Sequence, residues 1–361
     1  MGSRSLVQAS RQRLRAHSVT LAACIFAASS VISFAGSSGA ISPLWHLTKH
    51  YSSPIQTMTG VNCTSAKHCV VTTTNGREGA TFTGWSSFSS VAAHGAHLAD
   101  QMDAVSCPSP TKCIAVGTWG TATTGYGVVN SSINGGHTWS IQHVSPVPHS
   151  LAAVSCATTL VCMAVGVMGG HTEFWIRTVD GGVHWSDHTG TIDPSIGGLS
   201  SVSCVSTLIC TVIGIRGEAA VTTDGGLNWN IGTAFSTVNW LYGVSCVGKG
   251  VCFAVGEDTK GHGLGLYSPN SGLTWRQMSM PAGIAHLYGL SCLDTSHCFA
   301  VGQSAAGHGT AVRAVASTVW SAMSIPSGTN VLNSIDCLSL TWCTAVGGDS
   351  SNNAMVLTMH P

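Results

Sequence analysis

Val105-Ser-Cys107-Pro-Ser-Pro-Thr-Lys-Cys113-Ile-Ala115-Val116-Gly117 is the stretch that decides the fold, because it returns throughout the 361-residue chain. The other copies begin at Val61-Asn-Cys63, Val154-Ser-Cys156, Val202-Ser-Cys204, Val244-Ser-Cys246, Leu290-Ser-Cys292 and Ile335-Asp-Cys337. Their second cysteines are Cys69, Cys162, Cys210, Cys252, Cys298 and Cys343, and five residues separate the cysteines of every pair. First cysteines recur every 42 to 49 residues, and five copies run on into Ala-Val-Gly. Seven such units fill the 321 residues after position 40. A period of this size, with several short strands per unit, is the signature of a β-propeller, so the expected fold is all-β with seven four-stranded antiparallel blades.

Within a unit, the apolar stretch ending in Val-Ser-Cys reads as one strand and Cys-x-Ala-Val-Gly as the next, with a hairpin between them. Opposed residues of an antiparallel hairpin bring their Cβ atoms within disulfide reach. The expected bridges are therefore Cys63 with Cys69, Cys107 with Cys113, Cys156 with Cys162, Cys204 with Cys210, Cys246 with Cys252, Cys292 with Cys298, and Cys337 with Cys343. Zinc sites favour two to four intervening residues, so a metal reading of these pairs is set aside. Cys24 is the fifteenth cysteine, and it falls in the N-terminal segment.

Four units carry a second motif: Ser132-Ile-Asn134-Gly-Gly136-His-Thr138-Trp139, Thr178-Val-Asp180-Gly-Gly182-Val-His-Trp185, Thr222-Thr-Asp224-Gly-Gly226-Leu-Asn-Trp229 and Ser268-Pro-Asn270-Ser-Gly272-Leu-Thr274-Trp275. It resembles the Asp-box, or BNR, repeat, which in its known families closes the turn between the third and fourth strands of a blade. That resemblance implies that Asn134, Asp180, Asp224 and Asn270 satisfy turn amides and that the four Trp pack between blades. Trp85 and Trp320 read as the tryptophans of two eroded copies. Trp45 precedes Cys63 by 18 residues, within the 17 to 22 at which other units place their Trp before the next first cysteine. Trp45-His-Leu-Thr is thus expected to supply the fourth strand of the last blade and close the ring.

Asp-box families include sialidases, xyloglucan-cleaving glycoside hydrolases, sortilin-type receptors and photosystem II assembly and stability factors. The shared motif is structural, so function does not follow from it. Sialidases resemble one another in an Arg-Ile-Pro and an arginine triad, and this chain has no Arg-Ile-Pro. The seven-bladed, short-repeat form most resembles the assembly-factor-like propellers.

Arg4, Arg11, Arg13 and Arg15 precede an uncharged apolar run from Val19 to Phe34 and small residues up to Ala40. Residues 1–40 read as a secretory signal, with an uncleaved anchor as the alternative, and 41–361 as a single propeller domain. The chain has 14 basic and 14 acidic residues among 361, and removal of the four signal arginines leaves 10 basic residues. Clustered Lys and Arg for nucleic acid are absent, and 44% hydrophobic content excludes a disordered chain. The cysteine usage points to an oxidising compartment, hence a secreted or cell-surface location. A monomer is expected.

Hairpins and Asp-box turns crowd one face of such a ring, and the remaining loops form a variable face, where binding residues belong. Arg77, Trp119, His171, Arg216, Trp240, His262, Tyr288 and His308 are the candidate binding residues there. Trp119, Trp240 and Tyr288 would suit an aromatic platform for sugar rings, although Trp240 also fits a core position. His94-x-x-His97-x-x-Asp100 has side chains that suit a metal edge, but this even spacing does not keep all three on one face of a strand, so no metal and no cofactor is expected. Sixteen mature histidines would charge between pH 7 and 5, which makes acid-dependent binding a hypothesis.

Two functions remain open at this point. The preferred one is a non-catalytic scaffold binding a protein or glycan through the variable face. The alternative is a glycoside hydrolase, sialidase-like or of another Asp-box type, drawing two carboxylates from Glu78, Glu218, Glu257 and Asp258, with the last two adjacent on one loop. No nucleophile elbow and no phosphate-cradling loop occurs.

Overall fold

The computed structural model describes residues 44–92, 101–120, 125–144, 150–169, 172–193, 196–214, 216–232, 236–248, 250–315 and 318–360. Residues 1–40, where the signal reading falls, lie outside them, as do His94, His97, Asp100, His149 and His171.

Seven four-stranded antiparallel sheets follow one another around a ring. Six are sequential, with their strands within 58–92, 101–143, 150–189, 199–231, 238–277 and 284–323, and are numbered blades 1 to 6. Blade 7 takes three strands from 331–360, and its fourth is Leu44–Gln56 from the N-terminal end. Trp45 pairs with Met359 and Leu47 with Leu357, so the two ends of the domain share one sheet. Closure of this kind leaves no unpaired edge between the first and last blades.

The first strand of each blade lies innermost, against the first strands of its neighbours. All seven cysteine pairs are disulfides with Cα–Cα distances of 4.0 to 4.1 Å. Six of them join residues directly opposed across the first hairpin. Such bridges persist in an oxidising environment.

The core is divided among the blade interfaces. Seven buried clusters each draw residues from two neighbouring blades, as where Ile114 and Val116 of blade 2 meet Phe174 and Ile176 of blade 3. Trp139, Trp185, Trp229, Trp275, Trp320 and Trp45 each belong to a different cluster. The seventh interface contains Trp85 with Phe88. Here the structure corrects the sequence reading. Trp85 occupies the position of the second motif glycine, with φ 72°, and its amide donates to Thr81 Oγ1 as the Gly136 amide donates to Ser132 Oγ. Thr83 replaces the Asn or Asp and accepts from Ser87 N, so Phe88 is the residue at the motif's Trp position.

The four intact turns explain their own residue choice. Asn134 and Asn270 accept from the amides of Thr138 and Thr274, and Asp180 and Asp224 from those of His184 and Asn228, all at 2.9 to 3.0 Å. Ser132, Thr178, Ser268 and Thr222 hydroxyls donate to those same side chains. These amides hold Asp224 down at about 2 and Asp180 lower still.

The residue before each first cysteine links blade to blade. Cys107 N donates to Asn62 Oδ1, and the amides of Cys156, Cys204, Cys246, Cys292 and Cys337 donate to Ser106, Ser155, Ser203, Ser245 and Ser291 hydroxyls at 3.0 to 3.2 Å. Cys63 N returns the ring to Asp336 of blade 7. A repeated Val-Ser-Cys therefore encodes the inter-blade bond as well as the disulfide.

Candidate functional site

Every innermost strand is interrupted by a β-bulge at the same place, four residues before its first cysteine. The extra residues are Thr59, Asp103, Ala152, Ser200, Tyr242, Tyr288 and Asn333. A bulge re-aims its side chain, and all seven line a central channel of about 430 Å³. The glycine of Ala-Val-Gly accommodates this kink. A Cβ on Gly256 would stand 2.0 Å from Trp240 O, and one on Gly302 2.0 Å from His286 O.

Blades 5 and 6 place aromatic bulge residues side by side. Tyr242 meets Tyr288 edge-on at 5.1 Å, Trp240 stacks on Tyr242 at 6.0 Å, and His286 stacks on Tyr288 at 5.7 Å. Beneath these rings lies Glu257, only 7% exposed. Asn239 Nδ2 donates to its Oε1 at 2.6 Å, and the His286 imidazole meets its Oε2 through Nδ1. Desolvation raises Tyr242 above the ordinary phenol value, and the Glu257 charge adds to it. Desolvation and the same carboxylate raise Tyr288. Both phenols are thus held as neutral donors. The cluster extends to blade 4, where the Arg216 amide, in a left-handed turn with φ 64°, donates to Asn239 O at 3.2 Å.

Two channel carboxylates complete the polar lining. Burial pushes Asp103 up to about 7, against the Gln101 amide donating to it. Burial pushes Asp336 up to about 6, against donors from Cys63, Asn62 and Cys337. Both remain partly accessible from the channel, which moderates that push.

The structure brings together Trp240, Tyr288, Glu257 and Arg216 from the sequence-derived candidates and scatters the others. Trp119 lies in blade 2 against Tyr126 at 6.3 Å, so the expected three-ring platform is replaced by Trp240, Tyr242 and Tyr288. His262 sits on the tight turn of Asp258, whose Oδ1 accepts the Lys260 and His262 amides. His308 is exposed, and its amide donates to Ser304 Oγ at 3.2 Å.

The carboxylate quartet does not assemble. Glu257 and Asp258 end one strand rather than share a loop, and consecutive strand residues face opposite sides. Glu218 accepts the Gly197 amide at 3.0 Å, and desolvation raises it. Arg77 and Glu78 begin the third strand of blade 1 and are not in a loop. Glu78 is fully buried between blades 1 and 2, with the Asn130 amide donating to its Oε1, and burial pushes it up to about 7. Arg177 is spent on Thr207 O at 3.2 Å, and Arg276 lies over the Tyr267 ring at 4.5 Å. Among the described residues, no group of three or more His, Cys, Asp or Glu is placed to hold a metal.

The sequence reading missed Asn239, Asp103 and the channel itself. A signal for them existed. Four residues before the first cysteine the repeat reads Thr, Asp, Ala, Ser, Tyr, Tyr, Asn, a variable column beside a constant column of Gly, Ala or Ser.

The sequence matches no described protein family and no curated protein. Its structure is similar to that of YCF48 bound to D1 peptide, at 13% identity and TM-score 0.62 over 88% of this chain and 97% of that one. Virginiamycin B lyase from Staphylococcus aureus is 10% identical, with TM-score 0.65 over 87% and 99%. The GH74 xyloglucanase from Xanthomonas campestris is 13% identical, with TM-score 0.63 over 85% of this chain and 52% of that one. At these identities the likeness shows the seven-bladed fold alone.

Proposed function

We propose that this chain is an exported, non-catalytic propeller that captures an extended segment of a partner protein at the mouth of its channel. The carrying observation is the ring cluster of Trp240, Tyr242, Tyr288 and His286, held in place from below by Glu257 and Asn239. Rigid aromatic side chains offer large contact area at small entropic cost, and such residues anchor binding surfaces. The neighbouring channel presents hydroxyls, amides, neutral phenols and the carboxyls of Asp103 and Asp336, groups that can bond a peptide backbone. The solved YCF48 structure with D1 peptide is consistent with a protein ligand on this kind of scaffold. Residues 1–40 serve as the export signal in this reading. The four self-bonded turns support membership of the Asp-box propellers.

The rival glycosidase reading needs two cooperating carboxylates. Each of the four candidates instead has its own local partner, as given above.

Affinity capture from the cell envelope, with the wild type and with Trp240→Ala and Tyr288→Ala, tests the proposal. A retained protein lost at least tenfold in both variants is expected. A retained glycan, or glycan hydrolysis abolished by Glu257→Gln alone among Glu78→Gln, Glu218→Gln and Glu257→Gln, would overturn it.

A further inference from the structure

Glu257 is a carboxylate at a position the fold fills without one. Five places after the second cysteine, the other six blades carry Thr74, Thr118, Val167, Ile215, Gln303 and Gly348. Only 7% of Glu257 is exposed, and a buried carboxylate is costly unless it is paired. Every ion pair between described residues uses histidine as its cationic partner, and the partner of Glu257 is His286. A neutral imidazole can make that Nδ1 contact as a donor, which leaves the negative charge in place.

The rings above it form a corner. Tyr242 and Tyr288 meet at 64°, and the Trp240 ring lies within 13° of the Tyr242 plane and widens that wall. All three are half-buried, so part of each ring stays open to solvent. Ring faces carry negative potential and attract ammonium and guanidinium groups. The Tyr242 hydroxyl donates to Glu257, a bond that leaves its ring richer in electrons and strengthens this attraction.

The other charges nearby balance locally. The Arg216 charge opposes the burial that raises Glu218, and Lys260 and His262 share the turn of Asp258. Among the described residues no Lys, Arg or His lines the channel, whose ionisable groups are Asp103, Asp336 and the two phenols. Glu257 is therefore the unbalanced charge at the rings, and a cation is the ligand group that both the rings and the carboxylate favour.

Resting on the peptide-capture reading above, we propose that the captured segment presents a lysine or arginine side chain to the corner of Tyr242 and Tyr288, over the Glu257 carboxylate. The aromatic rings hold the cation and the stem that carries it, and Glu257 supplies the charge behind them. An acidic side chain at this place would meet both with the wrong sign. A neutral one would leave the carboxylate without a cation.

The test is to pan a displayed library of short random peptides on the full chain and to keep those lost with Trp240→Ala and Tyr288→Ala. These peptides are expected to share a Lys or Arg, and its replacement by Gln should weaken binding to the wild type about tenfold. Glu257→Gln, which copies Gln303 of blade 6, should weaken the basic peptide by a similar factor and its Gln counterpart less than about twofold. Mouth-binding peptides with no basic residue in common would overturn the cation and leave the capture reading standing. Equal weakening of both peptides by Glu257→Gln would reduce Glu257 to a prop for the rings and also overturn it. No mouth-binding peptide at all would overturn both readings. If Glu257→Gln melts early, the Gln replacement in the peptide decides alone, since it is measured on the wild type.

Discussion

Asp336 Oδ2 of blade 7 accepts two donors from blade 1, Cys63 N at 2.6 Å and Asn62 Nδ2 at 3.0 Å. Five of the other six links in this ring of hydrogen bonds use a serine hydroxyl on one donor, and the link from blade 7 to blade 1 uses a carboxyl on two. Two bonds to one carboxyl thus hold blade 1 to blade 7, the blade in which the two ends of the chain are paired.

Asp336→Ala is therefore expected to lower stability by about 2–3 kcal/mol, and Ser203→Ala by about 1 kcal/mol. Thermal unfolding of the two variants measures the difference. Equal losses would show that ring closure places no special demand on Asp336.

Gly256→Ala should affect both stability and binding. Its methyl would collide with the Trp240 carbonyl, whose carbon stands 2.9 Å from the ideal Cβ and whose oxygen is closer still. Overpacking against backbone costs about 1–3 kcal/mol, and the displaced strand carries Trp240 and Tyr242. Melting temperature and partner affinity should fall together, whereas Gly166→Ala, at the same column in blade 3, should lower the melting temperature alone.

Glu78 sets a pH dependence. Its carboxyl titrates near 4.5 in the unfolded chain and at about 7 in the fold, because burial raises it. Folding thus takes up a proton between these values. The contribution is complete below pH 4.5 and is lost as pH rises through 7, by up to about 3 kcal/mol. Asp103 and Asp336 act in the same direction, discounted for their access to the channel. Urea unfolding between pH 5 and 8 should show stability falling as pH rises, and Glu78→Gln should flatten that slope.

Deletion through residue 50 should unfold the whole ring cooperatively. It removes Trp45, 5% exposed, from the interface of blades 6 and 7 and uncovers the edge of the third strand. A melting temperature lowered by roughly 10 °C or more is expected, with a single transition. A truncated protein that keeps its melting temperature would contradict closure by this strand.

The ring was legible in the sequence because its determinants are local and repeated. A disulfide hairpin needs only cysteines at a fixed spacing, and a self-bonded turn needs only Ser or Thr, Asp or Asn, and Gly in order. Each of the seven copies reports the same geometry, and even Trp45 could be placed by its distance from Cys63. The eroded copy at Trp85 misled for the same reason. Its turn is held by Thr81 and Thr83, whose hydroxyls do the work of Ser and Asn without the expected letters.

What the sequence by itself determined was the number of blades, their strand order, the disulfides and the closing strand, since each follows from residues within one period. Only the tertiary structure decided the site. The bulge that turns Tyr242 and Tyr288 into the channel is a break in pairing register, and it leaves no mark in hydrophobic alternation. The fates of Glu78 and Glu257 depend on residues 52 and 29 positions away, Asn130 and His286, brought near by the curvature of the ring.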